Sequence, residues 1–153
     1  EEFDLVMMIF GEFNVFRERE AQSILNKAWA CLKDGGSVLI EGHTFKEVKR
    51  QGQSPPYWES TQGGLFGDHP YLQLEEHVWH ADLAAATTRY LVVDARNGDV
   101  TSYASTMMAY TDQQYERMLD KAGFCRIRGD RKMGDTGPEF KGKLQVFTGE
   151  KVA

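Results

Sequence analysis

The stretch FDLVMMIFGEFNVF, Phe3 to Phe16, decides how the rest of the chain is interpreted. Residues Leu5 to Phe10 are all apolar, which is typical of a strand buried on both faces of a parallel sheet. Such a strand needs neighbouring strands on both sides and helices above and below. We therefore expect a strand over residues 4–10, followed by a turn at Gly11.

A helix and a second strand are predicted next. Apolar side chains recur at helical spacing between Arg17 and Lys33. They are Ala21, Ile24, Leu25, Ala28, Trp29 and Leu32. Asp34-Gly35-Gly36 predicts a glycine C-cap, and the run SVLIEGH, residues 37–43, predicts a strand. Strand, helix and strand form a βαβ unit, so the two strands should be parallel with a right-handed crossover.

The middle of the chain predicts a loop followed by antiparallel strands. Residues 44–70 contain two adjacent prolines, a Gly-Gly pair and several aromatic residues, which indicate a long loop or lid that packs aromatic side chains. Three strand-like runs follow between Tyr71 and Tyr110. Asn97-Gly98 lies between the last two runs and is a hairpin signal. These features predict an antiparallel meander.

The last part of the chain predicts one helix and two strands. Thr111 and Gln114 form a capping box, and Gly123 is expected to cap the end of the helix. FCRIR, residues 124–128, and LQVFTGEK, residues 144–151, are the predicted strands. The expected order of one sheet is the opening strand, residues 38–40, residues 144–151 running antiparallel, and residues 125–127.

In this order, the motifs resemble the C-terminal half of a class I S-adenosylmethionine-dependent methyltransferase of the small-molecule type. The residues that carry the resemblance are FDLV (3–6), LKDGGSVLIE (32–41) and AYTDQQYERMLDKAGF (109–124). The segment GGLFGDHPYLQLEEHVWHADLAAATTRYLVVDARNGDV (63–100) resembles the substrate-side insertion of such enzymes.

The resemblance implies an α/β fold, a partial Rossmann-like methyltransferase sheet with an inserted antiparallel β-meander. Residues 1–153 would form a single domain, the C-terminal part of a methyltransferase domain. Its parts would be 1–43 (strand-helix-strand), 44–110 (substrate-side loop and meander) and 111–153 (helix and two final strands). The family's glycine-rich cofactor loop would lie before Phe3. We therefore expect S-adenosylmethionine to be the cofactor of the full-length protein, and this fragment to be inactive and to bind none alone.

Candidate reactive groups follow from the rule that open α/β sheets bind ligands beyond the carboxyl ends of parallel strands. The rule selects residues 11–14 and 41–44. Glu12 and His43 could act as a catalytic base where the acceptor must lose a proton. The alternatives are a solvated or helix-capping carboxylate for Glu12 and an exposed strand-end imidazole for His43. By resemblance, the loop Phe10, Gly11, Glu12, Phe13 and Asn14 contacts the cofactor's methionine portion.

The substrate side is predicted on the meander and the loop before it. On period two, the odd-numbered residues from Tyr71 to Trp79 share one face, which we expect to be exposed or partly covered. Leu72, Leu74 and Val78 should form the core face. The predicted substrate-binding residues are Tyr57, Trp58, Phe66, His77 and Trp79. The alternative is that the loop is held together by its own aromatic side chains.

Composition narrows the possible partners. The net charge is -5, which argues against a nucleic-acid or membrane-surface binder. The expected partner is a small-molecule acceptor, with no nucleic acid and no membrane. Cys31 and Cys125 have no CxxC neighbour and are expected to be reduced core thiols of a cytoplasmic protein. The histidines have no metal-ligand spacing, so no metal site is predicted.

Two further expectations concern association and function. The opening strand would have a free edge, so we expect a homo-oligomer that pairs through residues 4–10.

A rival function is a non-catalytic small-ligand-binding or protein-interaction module built on the meander, which would need no cofactor. An α/β hydrolase that shares only the βαβ unit has no support, because the sequence contains no GxSxG motif.

Overall fold

The strands of the computed structural model, which describes residues 3–133, 137 and 140–152, form two four-stranded sheets. In chain order the elements are β1 (Phe3–Met8), a 3₁₀ helix (Glu12–Val15), α1 (Glu18–Cys31), β2 (Leu32–His43), α2 (Phe45–Gly52), β3 (Tyr57–Thr61), β4 (Tyr71–His80), β5 (Ala85–Asp94), β6 (Val100–Met108), α3 (Asp112–Lys121), β7 (Cys125–Asp130) and β8 (Leu144–Glu150). The chain divides into a sheet unit, Glu1–Val48 with Met108–Ala153, and a meander unit, Lys49–Met107.

The first sheet has the predicted strand order, β1-β2-β8-β7. β1 runs parallel to β2, with Val6 opposite Val38 and Met8 opposite Ile40. β8 runs antiparallel to both β2 and β7. The expected α/β fold with an inserted antiparallel meander is therefore confirmed.

The core of the sheet unit lies where α1 and α3 meet one face of this sheet. Its fully buried side chains come from both helices and from the central strands. The Tyr115 ring of α3 stacks on Phe147 of β8, with ring centroids 4.6 Å apart. The predicted stripe of α1 is confirmed at Ala21, Leu25 and Ala28, which are buried.

The expectation that the opening strand is buried on both faces is wrong. Val6 and Met8 are partly buried against the core, whereas Leu5 is 48% and Met7 59% exposed. Alternate side chains of a strand point to opposite faces. The core packs on the face of β1 that carries Val6 and Met8, and the side chains of Leu5 and Met7 therefore point away from it.

The predicted end of α1 is wrong, whereas the predicted start and end of α3 are confirmed. α1 ends at Cys31 and not at the Gly-Gly pair, because Leu32 is already extended, is fully buried and pairs with Phe3. At α3, both predicted caps are confirmed. Thr111 and Gln114 form a capping box. Gly123, at φ +97°, directs the Phe124 amide to the Leu119 carbonyl in a Schellman motif.

The meander unit has one strand more than predicted. Its sheet order is β3-β4-β5-β6, and β3 and β5 both pair antiparallel with β4. The prediction of a long loop over residues 44–70 is wrong, since α2 and β3 lie there. The local signal for α2 is Thr44, whose hydroxyl accepts a hydrogen bond from the Glu47 amide at 3.2 Å.

The prediction for the two faces of β4 is wrong at Tyr71, Gln73 and Val78, whereas Glu75, His77 and Trp79 are partly covered, as expected. Tyr71 and Gln73, on the face expected to be exposed, are 3% and 8% exposed. Val78, on the expected core face, is 44% exposed. The reason is the loop after β3. Its Phe66 packs against Tyr71 at a ring distance of 6.0 Å and covers that face.

Two further observations concern surface chemistry. Cys31 and Cys125 are free and exposed, so the expectation that they are core thiols is wrong. Each lies at a boundary of regular structure, Cys31 as the last residue of α1 and Cys125 as the first of β7.

Among the described residues, no helix combines the length and apolar character needed to cross a membrane.

Candidate functional site at the end of the parallel strands

The loop after β1 turns sharply because two consecutive residues adopt left-handed conformations. Phe10 has φ +59° and Gly11 has φ +73°. The Phe10 amide donates to the Glu41 carboxylate at 2.7 Å, and the Gly11 amide donates to the Glu41 carbonyl at 3.0 Å. Glu41 is 8% exposed. One residue at the end of β2 therefore holds the turn with both its side chain and its backbone.

Asn14 is the central hydrogen-bonding residue of this region. It is fully buried, and its Nδ2 donates to the Met108 carbonyl at 2.8 Å. Its Oδ1 accepts from the His43 amide at 2.8 Å and lies 3.1 Å from the Tyr115 hydroxyl. The loop, the end of β2 and α3 are thus joined at a single side chain.

Two glycines leave the space that this arrangement needs. A Cβ on Gly11 would lie 2.3 Å from Cδ2 of the His43 ring, and a Cβ on Gly42 would lie 2.3 Å from the Tyr115 hydroxyl. Both distances are far below van der Waals contact. Gly11 therefore allows the imidazole to lie against the loop, and Gly42 allows Tyr115 to reach Asn14.

His43 is half-buried and packs against the loop. Burial lowers the pKa of its imidazole below the ordinary value, while the carboxylates of Glu47, Glu12 and Glu41 act in the opposite direction. The lowered pKa favours a neutral ring at neutral pH, and a neutral imidazole can accept a proton.

The structure divides the predicted cofactor loop into buried and exposed residues. Phe13 and Asn14 are fully buried, and Gly11 is also buried. Glu12 is exposed and Phe10 is 61% exposed. Any contact with a ligand in solvent would therefore come from the Phe10 and Glu12 side chains or from the backbone. The Glu12 carboxylate is near enough to act electrostatically on the His43 ring, and the catalytic role of both residues stays a prediction.

A cavity of about 420 Å³ lies near the start of α2. Its lining residues are Thr44, Phe45, Lys46, Asp112, Arg131, Gly142 and Leu144. The Arg131 guanidinium donates to the Asp112 carboxylate at 2.7 Å. The end of β2 therefore borders a space of the size in which small ligands bind.

Comparison with known proteins identifies the fold. No family model and no curated protein sequence matches the chain significantly. Solved structures do match. An S-adenosylmethionine-dependent methyltransferase from Clostridium acetobutylicum has 12% identity and a TM-score of 0.73 over 99% of this chain. The sugar N-methyltransferase KedS8 from Streptoalloteichus has 17% identity and a TM-score of 0.69 over 99% of this chain. CalS10, an amino pentose methyltransferase from Micromonospora echinaspora, has 18% identity and a TM-score of 0.67 over 99% of this chain. The chain has a class I S-adenosylmethionine-dependent methyltransferase-like fold.

This chain spans less than two thirds of each of those proteins. The match covers 59% of the Clostridium methyltransferase, 57% of KedS8 and 59% of CalS10. The methyltransferase-like fold assigned from the sequence is confirmed for the part that the chain contains.

The predicted substrate-binding residues lie in the meander unit, where they fall into separate groups. Phe66 stacks on Tyr103 at 5.0 Å and contacts Tyr90 at 5.3 Å, so the loop is held by aromatic packing. His77 lies 3.1 Å from the Thr88 hydroxyl, and the Lys49 ammonium lies 6.0 Å from the Trp79 ring centroid.

Tyr57 and Trp58 are adjacent on the edge strand β3 and are largely exposed, at 48% and 69%. The Tyr57 hydroxyl donates to the Glu59 carboxylate at 2.6 Å. Among the described residues, no cluster of three or more His, Cys, Asp or Glu side chains could hold a metal ion.

Glu41 and Gly42 lie in the segment 41–44 that the sequence selected, but no role was predicted for either of them, and Tyr115 was not predicted to belong to the site. A signal existed for two of them. Glu41 and Gly42 follow the apolar run of β2, where ligand-binding residues of parallel strands are expected. Tyr115 was predicted as part of the buried stripe of α3, but periodicity does not reveal that its hydroxyl reaches Asn14 and lies 3.2 Å from the His43 carbonyl.

Proposed function

We propose that this chain is the C-terminal, acceptor-side portion of an S-adenosylmethionine-dependent methyltransferase that acts on a small molecule. The observation that carries the proposal is the network at the carboxyl ends of β1 and β2. Glu41, Asn14, His43 and Tyr115 fix a sharp loop at the edge where open α/β sheets bind ligands. The same fold supports methyl transfer in the structurally similar proteins.

The charges at this edge fit the proposed cofactor. S-adenosylmethionine carries a positively charged sulfonium and supplies the methyl group when it is bound. Glu12, Glu41 and Glu47 all act electrostatically on His43, and these carboxylates would favour a sulfonium bound beside them. Phe10 and the backbone of the turn would contact the cofactor, while Asn14 and Tyr115 would hold the turn in place.

In catalysis, this chain's residues would align the acceptor's nucleophile with the methyl group and would accept a proton from the acceptor. Methyl transfer depends on holding the nucleophile in line with the methyl group at close approach. His43 is the better candidate for the base because burial favours its neutral form. Glu12 is exposed and is the second candidate.

Two similar proteins are named as methyltransferases of a sugar nitrogen and of an amino pentose, which favours a nitrogen acceptor.

Calorimetric titration with S-adenosylhomocysteine tests the proposal. The chain should be joined to an upstream strand and glycine-rich turn of the methyltransferase type, and the longer protein should bind. The present chain alone should bind weakly or not at all. Gly11→Val should abolish binding, because its side chain would displace His43. Absence of binding by a folded longer protein would refute the proposal.

We also propose that the free edge of β1 mediates self-association in a cytoplasmic protein. The outward-facing apolar side chains of β1, Phe3, Leu5 and Met7, are 48–59% exposed. An exposed strand edge with apolar side chains is a template for pairing. Light scattering should show a dimer or larger species, and Met7→Lys should shift it to a monomer. A monomeric wild-type chain would contradict this proposal.

A further inference from the structure

The turn after β1 contains a bulky residue in a strained backbone conformation. Phe10 has φ +59°, which lies in the left-handed region, where a Cβ atom comes too close to the following carbonyl oxygen. Glycine adopts this conformation without that cost, and phenylalanine does not. Residues held in this way persist only where the surrounding structure fixes them, and they cluster at active sites and ligand clamps. Local preference therefore does not explain the phenylalanine at this position.

Packing in the core does not explain it either. Phe10 is 61% exposed, and its ring centroid lies 6.4 Å from that of Phe140. A phenylalanine stabilises a fold mainly through the apolar area that it removes from water. Most of that area is in solvent here. A side chain that is both strained and exposed suits contact with a ligand better than support of the core.

Glu41 fixes the strained residue. The Phe10 amide donates to the Glu41 carboxylate at 2.7 Å, and the next amide, that of Gly11, donates to the Glu41 carbonyl at 3.0 Å. Glu41 is 8% exposed, and a buried carboxylate is costly unless it is hydrogen-bonded. Hydrogen bonds to a carboxylate are about twice as strong as those between neutral groups. The bond therefore stabilises the carboxylate and fixes the direction of the Phe10 amide together.

Both residues lie at the edge of the sheet where the proposed ligand binds. Met8 pairs with Ile40 in the parallel strands β1 and β2, so Phe10 and Glu41 follow at the carboxyl ends of the two strands. We propose that Glu41 is a positioning residue that holds Phe10 in its left-handed conformation and so presents the exposed ring to the ligand. The inference rests on the proposed function, in which that ligand is the cofactor. Phe10 makes the contact, and Glu41 acts through Phe10.

Melting temperatures test the strain at Phe10. Phe10→Gly and Phe10→Ala both remove the ring, but only glycine also removes the Cβ atom. Glycine is ordinarily the less stable of the two. Here Phe10→Gly should melt roughly 2–4 °C above Phe10→Ala, as expected for relief of a left-handed residue in a chain of this size. Ala84→Gly is the matched control, because Ala84 also has a positive φ, +46°, but lies between β4 and β5.

Calorimetric titration of the longer protein with S-adenosylhomocysteine tests the contact. Phe10→Gly should bind roughly tenfold more weakly than the wild type although its backbone is relieved, because the apolar contact of the ring is lost. Ala84→Gly should gain stability and bind as the wild type does. A purely structural role of Phe10 would not lower affinity while raising stability relative to Phe10→Ala.

Variants of Glu41 test whether it acts through Phe10. Glu41→Leu removes the acceptor of the Phe10 amide and should weaken binding about as much as Phe10→Ala does. Glu41→Gln should retain most of the affinity, because its amide oxygen still accepts the hydrogen bond. S-adenosylhomocysteine lacks the sulfonium charge, so a loss of affinity does not come from a missing charge–charge contact with the sulfur. The double variant Glu41→Leu with Phe10→Ala should bind no more weakly than either single variant.

Three results would overturn the inference: a Phe10→Ala protein that melts at or above Phe10→Gly, wild-type affinity in Phe10→Gly, or additive losses in the double variant. If Glu41→Leu does not fold, the Phe10 variants and Glu41→Gln decide the matter. These failures are read with a wild-type longer protein that binds S-adenosylhomocysteine. Absence of binding by that wild type refutes the proposed function instead, and the ligand role of Phe10 falls with it.

Discussion

The two faces of β1 have the same composition but opposite environments. Val6 and Met8 pack against the core, and the loop that follows is hydrogen-bonded through Asn14 to the Met108 carbonyl and the His43 amide. Leu5 and Met7, one residue away, are about half exposed. A continuous apolar run therefore does not show which of its side chains are buried. The environment depends on which elements pack on each face.

The largest effect is expected at the hydrogen-bonded end of this strand. Asn14→Ala would leave the Met108 carbonyl and the His43 amide without their buried partner, whereas the Tyr115 hydroxyl keeps the His43 carbonyl as an acceptor. We expect the free energy of unfolding to fall by about 3 kcal/mol, since each orphaned buried group costs about 1–3 kcal/mol before rearrangement. Urea denaturation measures this value.

Asn26→Ala is the matched control, because Asn26 is exposed on α1 and its side chain bonds only to Gln22 among the hydrogen bonds described. It should change stability by less than about 0.5 kcal/mol. Equal losses for the two variants would mean that the network around Asn14 contributes no special stability.

The second effect concerns the space between β2 and α3. Gly42→Ala would place a methyl group 2.3 Å from the Tyr115 hydroxyl and should destabilise the fold by about 2 kcal/mol through overpacking. Gly63→Ala is the control, since its nearest neighbour would be 3.4 Å away. Thermal melting of both variants measures their stability. An unchanged melting temperature for Gly42→Ala would contradict the overpacking and would show that Tyr115 moves freely.

A matched pair of methionines tests the two faces directly. Met8→Ala on the inner face should cost about 1–2 kcal/mol, because a partly buried side chain loses part of the roughly 2–5 kcal/mol expected at a full core site. Met7→Ala on the outer face should cost less than about 0.5 kcal/mol in dilute solution. A large loss for Met7→Ala alone would show that the outer face is covered in solution.

The smallest effect is the pH dependence that arises from His43. Its pKa is lowered in the folded state, so the unfolded state binds a proton more readily. Stability should therefore be fully present above the ordinary histidine range of about 6.5 and should fall as the pH drops below it. His43→Gln should reduce this slope between neutral and mildly acidic pH. An identical slope in both proteins would contradict the burial of a neutral ring.

Much of the fold was predictable because it depends on local chemistry. The caps of α3 follow from Thr111, Gln114 and Gly123, which act within a few residues of each other. The order of the first sheet follows from the βαβ unit and its resemblance to methyltransferases. Candidate positions at the ends of β1 and β2 follow from the general geometry of parallel sheets.

The errors arose where distant residues decide the outcome. Phe66 covers the β4 face that alternation alone indicated to be exposed, because its partners Tyr90 and Tyr103 come from later strands. β3 was not predicted because pairing with β4 stabilises it, and no local periodicity marks it. Glu41 lies in the selected segment 41–44, but its role was not predicted because its bonds to the loop after β1 span about 30 residues.

By itself, the sequence determined the fold class, the strand order of the first sheet, the helix caps of α3 and the turn that follows β1. These features depend on periodicity, capping residues and connection length, which operate over short distances. Only the tertiary structure decided which face of each strand is buried, that Asn14 connects the loop to β2 and α3, and that Phe66 covers Tyr71 of β4. Those outcomes depend on contacts between residues far apart in the chain, whose positions are set by packing and not by local pattern.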